Sequence, residues 1–236
     1  MKTEQTVLGY SRELYVAQDK IENRYKIDNK YNLATKTAIR AIDIAASIAG
    51  IIILGLITVV VYVKSRINKD GPLFFSQNRI GKNGKSFRIY KFRTMVVGAE
   101  EILTKYLEEN EEAREEYKTN KKLKNDPRIT KIGKFLRKTS LDEFPQFINV
   151  LKGEMTLVGP RPYLPGEKED MGECYDYIVE MKPGLTGQWQ VSGRSNVTFA
   201  ERLRIDMDYY YNRTFKEDIK IILKTACKIF KCNDAA

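Results

Sequence analysis

From Ile44 to Val63 the chain carries no charged side chain and is apolar almost throughout. About 20 residues in a helix cross the hydrocarbon core of a bilayer, and helices of small water-soluble domains usually keep a polar face that this run lacks. A membrane helix is predicted. Lys30, Lys36 and Arg40 precede the run, and Lys64, Arg66 and Lys69 follow it. A spanning helix carries its basic bias on one side, whereas basic flanks at both ends fit a segment that dips in and returns. The re-entrant form is the expectation and a simple spanning helix the alternative. Arg40 and Asp43 stand one turn apart at the entry, which predicts a structural ion pair, because a charge at the membrane boundary is costly unless paired or hydrated.

Residues 1–35 are polar, with scattered tyrosines and no apolar signal-peptide core near Met1. They read as a surface helix or a partly ordered arm not marked for export by that route. Beyond the apolar run, aromatic and β-branched stretches on either side of Asn83-Gly84 predict a β-hairpin through Phe74 and Phe92. Residues 99–124 are dense in Glu and Lys, with Leu103, Tyr106 and Leu107 interspersed, and predict a solvated helix or helical insertion. Near the C-terminus Ile219, Ile222, Leu223, Ala226, Ile229 and Phe230 keep helical spacing beside a stripe of Lys216, Lys220, Lys224 and Lys228. Such a helix lies on an anionic membrane or packs on a core with a solvated lysine face. The fold class expected is α+β and predominantly helical, with a small hairpin and an N-terminal membrane-embedded helix. The division expected is an arm at 1–35, a membrane-associated helix at 36–66 and a cytosolic domain at 67–236 resting on the membrane.

Charge and composition narrow the chemistry. Lys and Arg outnumber Asp and Glu by 41 to 31, which favours anionic partners without choosing among nucleic acid, membrane and phosphorylated substrates. The chain has no histidine. That removes Ser-His-Asp and Cys-His triads and every histidine-ligated zinc site. Cys174, Cys227 and Cys232 form no Cys-x-x-Cys pair, and a reducing compartment fits them better than a disulfide framework. Carboxylates, lysines, hydroxyls, thiols or a hard metal ion are left to carry any reaction.

Between Lys121 and Pro162 stand ten basic and four acidic residues, a local net charge of +6. Inside that field sits the adjacent pair Asp142-Glu143, followed by Phe144-Pro145-Gln146. Proline is tolerated in the first turn of a helix, so a helix is predicted to start just before Pro145, with both carboxylates at its N-terminus, where the dipole favours negative charge and also phosphate. One reading is a cap of the Ser140-x-x-Glu143 kind. The other is a carboxylate nucleophile, which needs Mg²⁺ or arginines to cancel its repulsion from a phosphoanhydride. Arg137, Arg161 and a carboxylate-held Mg²⁺ are candidates for that task.

At residues 71–95 (GPLFFSQNRIGKNGKSFRIYKFRTM), 125–162 (NDPRITKIGKFLRKTSLDEFPQFINVLKGEMTLVGPRP) and 182–195 (KPGLTGQWQVSGRS) the chain resembles the bacterial sugar transferases, the monotopic polyprenyl-phosphate phosphoglycosyl transferases. A weaker likeness continues through 208–225. The resemblance implies a two-step reaction. Asp142 attacks the sugar-linked phosphate of a UDP-sugar and releases UMP, and the covalent phospho-sugar then passes to a polyprenyl (undecaprenyl) phosphate. It implies Mg²⁺ held by Glu143 with Asp142, and phosphates neutralised by Arg137 and Arg161 with Lys91 and Arg93. Pro160 and Pro162 form a rigid element beside the nucleotide, and Arg194 contacts substrate. It places the protein at the cytoplasmic face of a bacterial cell membrane, among membrane lipids and without nucleic acid. The 182–195 block is closest to the branch that handles glucose or galactose phosphates for capsule or exopolysaccharide assembly.

The chain departs from the family in having no proline between Ile44 and Val63 to break the membrane helix, and in Phe215, where many relatives carry tryptophan. Two other readings remain. One is an ordinary glycosyltransferase built on Asp206-Met207-Asp208, releasing UDP. The other is a non-enzymatic, membrane-tethered basic scaffold.

Overall fold

The structure is a computed structural model that describes residues 31–68, 71–192 and 197–231; the arm before residue 31 lies outside them. Helix α1 (Leu33–Asn68) runs unbroken through the apolar stretch. Among the described residues it is the one helix long and apolar enough to cross a membrane. Neither Gly50 nor Gly55 interrupts it. Gly50 has a packing role instead, since a Cβ there would lie 2.4 Å from the Phe147 ring.

The described residues from 37 to 231 make one compact unit. Within it α1 is apolar on two sides. Asp43, Ser47, Leu54 and Val61, spaced to share one helical face, are buried, and Leu54 and Val61 pack with Phe92, Ile132 and Leu136. Ile52, Leu56, Val59 and Val60 are exposed.

Strands β1 (Phe74–Ile80) and β2 (Ser86–Phe92) form the predicted antiparallel hairpin. Asn83 and Gly84 both take positive φ, 57° and 73°, as an Asn-Gly turn allows, though the connection is a five-residue loop. The charged stretch divides into α2 (Ala99–Glu109) and α3 (Glu111–Asn120) at Asn110, whose side chain accepts from the Ala113 amide. Their inner faces meet Leu123 in a small core of their own.

Helix α4 (Lys131–Thr139) is capped by Thr130. Gly133 lets it lie against the strand extension, where a Cβ would fall 2.0 Å from the Thr94 carbonyl oxygen. A 3-10 turn, Leu141–Glu143, leads into α5 (Gln146–Lys152). Strand β3 (Thr156–Val158) pairs in parallel with β4 (Gly184–Thr186), and the connection holds the short helices α6 (Lys168–Met171) and α7 (Cys174–Ile178). Then come α8 (Gln188–Ser192), α9 (Phe199–Asn212) and α10 (Phe215–Lys231). A second core joins Ile80, Tyr163, Met171, Ile178, Phe199 and Leu203.

Two expectations need correcting. Arg40 and Asp43 each bind the domain rather than each other. Arg40 donates to the Val150 and Leu151 carbonyls, both at 2.7 Å, at the C-terminal end of α5, where the Val150 oxygen also takes the Gly153 amide at 2.9 Å. Asp43 accepts from the Leu157 amide at 2.8 Å and the Thr156 hydroxyl at 3.1 Å. The C-terminal helix is also turned relative to its apolar stripe. Asp218 and Ile221 are buried while Leu223 is exposed. Asp218 accepts from the Tyr209 hydroxyl at 2.6 Å and Thr225 bonds Thr186 at 2.7 Å, so polar groups with partners in the domain set the inward face.

Candidate active site

Ser140, in the left-handed region at φ 58°, ends α4 and reverses the chain into the turn that carries Asp142 and Glu143. Pro145 sits at the N-cap of α5, so the helix begins one residue after the proline rather than before it. The Ser140 side chain makes no capping bond. Glu143 instead takes the Lys91 ammonium at 3.0 Å.

Asn149 fixes that geometry. Fully buried on α5, it accepts from the Tyr90 amide at 3.1 Å and donates to the Arg88 carbonyl at 2.8 Å and to Glu154 at 2.7 Å. It thereby fastens β2 to the helix that follows the dyad, and Lys91 is delivered to Glu143.

Asp142 is only 8% exposed. Burial raises its carboxyl to about 6, Glu143 adds to the rise, and Lys91 and Arg137 oppose it. Arg137 is held by its Nε–H donating to the Thr94 hydroxyl at 3.0 Å, and burial lowers its guanidinium below the usual value. A desolvated carboxylate on which two cations act has a charge that can be expressed near neutral pH.

Beside the dyad opens a small cleft lined by Arg79, Lys91, Glu143, Gln146, Arg161 and Trp189, among others. Arg79 donates to the Pro162 carbonyl at 3.0 Å and to Gln77 at 2.7 Å. Burial, with Arg161 nearby, brings its pKa down to about 10, leaving it charged at neutral pH. The backbone amide of Arg161 donates to Asp206 at 3.2 Å, and the Tyr163 hydroxyl donates to the same carboxylate oxygen at 2.8 Å. Arg161 and Arg202 lie over the Trp189 ring, 5.6 and 5.0 Å from its centroid.

Of the residues singled out in the sequence, Lys91, Glu143, Arg161 and Pro162 line the cleft, and Asp142 and Arg137 lie beside it without lining it. Arg93 is elsewhere, donating to the Pro72 carbonyl and lying over Phe75. Pro160 lines a separate cavity with Tyr163 and Met171, and Arg194 lies outside the described residues. Sequence reasoning missed Arg79, Gln146, Trp189 and Arg202. Gln146, four residues beyond Asp142 at a helix start, had a usable spacing signal; Arg79 and Arg202 had none. The Asp-x-Asp pair does not form a metal site: Asp206 is buried under Tyr163, whereas exposed Asp208 accepts from Asn212.

No cluster of three or more potential metal ligands occurs among the described residues. Two neighbouring carboxylates, one lining a cation-rich cleft, nevertheless fit Mg²⁺, which commonly takes one or two carboxylates and completes its shell with substrate phosphates and water. Glu143 and Asp142 would hold it, and it would neutralise phosphate charge there.

The structure thus holds one helix long and apolar enough to cross a membrane among its described residues and a cation-lined cleft beside Asp142 and Glu143, and the family model described as bacterial sugar transferase matches residues 34–232. The chain belongs to that family. It is 45% identical over 197 residues to the undecaprenyl-phosphate galactose phosphotransferase of Salmonella typhimurium, covering 83% of this chain and 41% of that protein. It is 39% identical over 186 residues to the exopolysaccharide production protein ExoY of Sinorhizobium fredii, covering 79% and 82%. To the UDP-glucose:undecaprenyl-phosphate glucose-1-phosphate transferase of Escherichia coli it is 34% identical over 200 residues, covering 81% and 40%. The chain thus spans about two fifths of the Salmonella and Escherichia proteins and most of ExoY.

Proposed function

We propose that the protein is a phosphoglycosyl transferase that moves a sugar-1-phosphate from a UDP-sugar, with UDP-glucose or UDP-galactose favoured, to undecaprenyl phosphate. The observation that carries the reading is the buried Asp142 carboxylate between Lys91 and Arg137, beside a cleft edged by Glu143, Arg79 and Arg161. In the first step an Asp142 oxygen bonds to the sugar-linked phosphorus. The anhydride bond to the second phosphate breaks, and UMP leaves with the electron pair. In the second step a phosphate oxygen of the lipid carrier attacks the same phosphorus, and the Asp142–phosphorus bond breaks. The products are a polyprenyl-diphosphate sugar and free Asp142. Lys91, Arg79 and Arg161 cancel the charge that would otherwise repel the attacking carboxylate. The relatives named for galactose and glucose phosphate transfer to undecaprenyl phosphate support the substrate class.

The same reading seats the protein on the cytoplasmic face of the membrane, residues 67–236 acting as the catalytic domain. Because the helix is unbroken, α1 lies along the membrane surface rather than dipping in and returning as its basic flanks led one to expect. Support comes from the length over which α1 is packed. Its contacts with the domain run from Arg40 past Leu54 and Val61 to Lys64, which lies 5.9 Å from the Phe135 ring. A spanning α1 would carry Phe92, Ile132 and Leu136 into the bilayer with it.

The test is incubation of detergent-solubilised protein with a UDP-sugar and no lipid acceptor. UMP release with a sugar-phosphate mass added at Asp142 is expected. Release of UDP would refute the reading in favour of a glycosyltransferase, and release of neither nucleotide would favour the scaffold.

A further inference from the structure

Between Gly159 and Tyr163 the chain runs Pro160-Arg161-Pro162, and the two prolines carry no N–H. The segment is tied down on several sides. The Gly159 amide donates to the Thr186 carbonyl at 3.0 Å, and the Pro160 carbonyl takes the Gly184 amide at 2.9 Å. Arg79 donates to the Pro162 carbonyl at 3.0 Å, and the Tyr163 carbonyl takes the Ile80 amide at 2.9 Å. The one backbone donor in the middle is the Arg161 amide, and what it meets is a side chain. Asp206 of α9 accepts from it at 3.2 Å, on the oxygen that also takes the Tyr163 hydroxyl at 2.8 Å.

Arg161 lines the cleft and lies over the Trp189 ring. Asp206 is only 1% exposed and does not line the cleft, so its hold on Arg161 is exerted from behind. Arg202 stands one turn before Asp206 on α9, where residues four apart share a face, and it lies over the same ring at 5.0 Å. Helix α9 thus supplies both a hold on the Arg161 backbone and a second guanidinium on the ring where the Arg161 guanidinium rests. Two like charges brought to one ring repel, and the Asp206 carboxylate is a counter-charge for both. Burial raises its carboxyl to about 7, and the Tyr163 hydroxyl and both arginines oppose the rise.

We propose that Asp206 is a positioning residue that aims the Arg161 guanidinium into the cleft by holding the Arg161 backbone amide. What Arg161 does there rests on the transferase reading above; how it is held does not. A buried amide without a partner is costly, so without Asp206 the segment shifts to find one and carries the guanidinium off the Trp189 ring. A merely structural role would run instead through Tyr163, whose ring meets Phe199 edge-on at 5.9 Å within the second core. The two roles part at the Tyr163 hydroxyl. Removing it cuts the tie between Asp206 and that core and leaves the bond to the Arg161 amide in place.

Kinetics of UMP release from UDP-galactose or UDP-glucose by the full chain in detergent, with Trp189 fluorescence beside them, test the assignment. Asp206→Ala should raise KM about tenfold or more, the scale of one hydrogen bond to a charged group, with a smaller change in kcat. Asp206→Asn keeps an oxygen for both donors and should restore most of the loss. In an Arg161→Ala background, Asp206→Ala should cost less than about twofold further, as for two residues acting through one contact. Losses that multiply overturn the proposal. Trp189, the single tryptophan of the chain, should become more open to acrylamide quenching in Asp206→Ala, as it does in Arg161→Ala. Quenching unchanged from wild type in a folded Asp206→Ala protein overturns the proposal too. Tyr163→Phe should keep the wild-type KM and quenching, which covers the case in which Asp206→Ala does not fold; a raised KM there means that Asp206 serves the core, and the proposal falls. A wild type that releases no UMP sinks the transferase reading, and the quenching measurements then still decide whether Asp206 holds Arg161.

Discussion

Replacing Asp142 by Asn should abolish UMP release and at the same time make the protein more stable above neutral pH. Burial raises the Asp142 carboxyl from 3.8 to about 6. At about 1.36 kcal/mol per pKa unit that gap corresponds to about 3 kcal/mol. For a carboxyl whose folded pKa lies above its unfolded one, the native state holds the proton more tightly. Its stabilising contribution is complete below the unfolded value of 3.8 and is lost as pH rises through 6. At pH 8 the wild type therefore bears the full cost of a buried charge, and an amide of the same shape bears none of it. A buried amide short of partners costs about 1–2 kcal/mol of its own, so the net gain for Asp142→Asn at pH 8 is about 1–2 kcal/mol. Urea unfolding in detergent, followed by fluorescence of Trp189, the single tryptophan of the chain, measures it at pH 8 and again at pH 4. The advantage should vanish or reverse at the lower pH. Full activity in the variant, or a loss of stability larger at pH 8 than at pH 4, would refute the account of Asp142 as a desolvated nucleophile.

Removing the strongest cation acting on Asp142, in Lys91→Met, should move the acid limb of the pH–rate profile upward from about 6 by about one pH unit or more; an unmoved limb would mean that Lys91 serves only to bind substrate. Asn149→Ala leaves the Tyr90 amide and the Arg88 carbonyl unmatched and should cost about 2–4 kcal/mol in the same unfolding assay. Gly133→Ala puts a methyl group 2.0 Å from the Thr94 carbonyl oxygen and should destabilise by about 1–3 kcal/mol, with Arg137 loosened from Thr94 and activity falling alongside. In intact cells, single cysteines at Asn32 and Asn68 in a background lacking the native three should label from the same side of the membrane. Labelling from opposite sides would establish a spanning α1.

Much of this protein is determined locally. The apolar run at 44–63, the Asn83-Gly84 turn and the Asp142-Glu143 pair before a proline each depend on neighbours in sequence, and each can be read without a fold. The basic field around the dyad is legible for the same reason, as a sum of charges close together in the chain. What the cleft is made of was settled only by packing. Arg79 comes from β1, Arg161 from the segment after β3 and Trp189 from α8, with Arg202 of α9 over the Trp189 ring, so no local spacing announces that they meet. Tertiary structure also reassigned groups whose local spacing suggested another partner. Arg40 and Asp43 stand one turn apart, yet Arg40 bonds the terminal carbonyls of α5 and Asp43 the Leu157 amide. Ile221 rather than Leu223 faces inward on α10, because Asp218 and Thr225 find hydrogen bonds on that side. Periodicity reports which residues share a face; the identity of the groups opposite decides which face is buried.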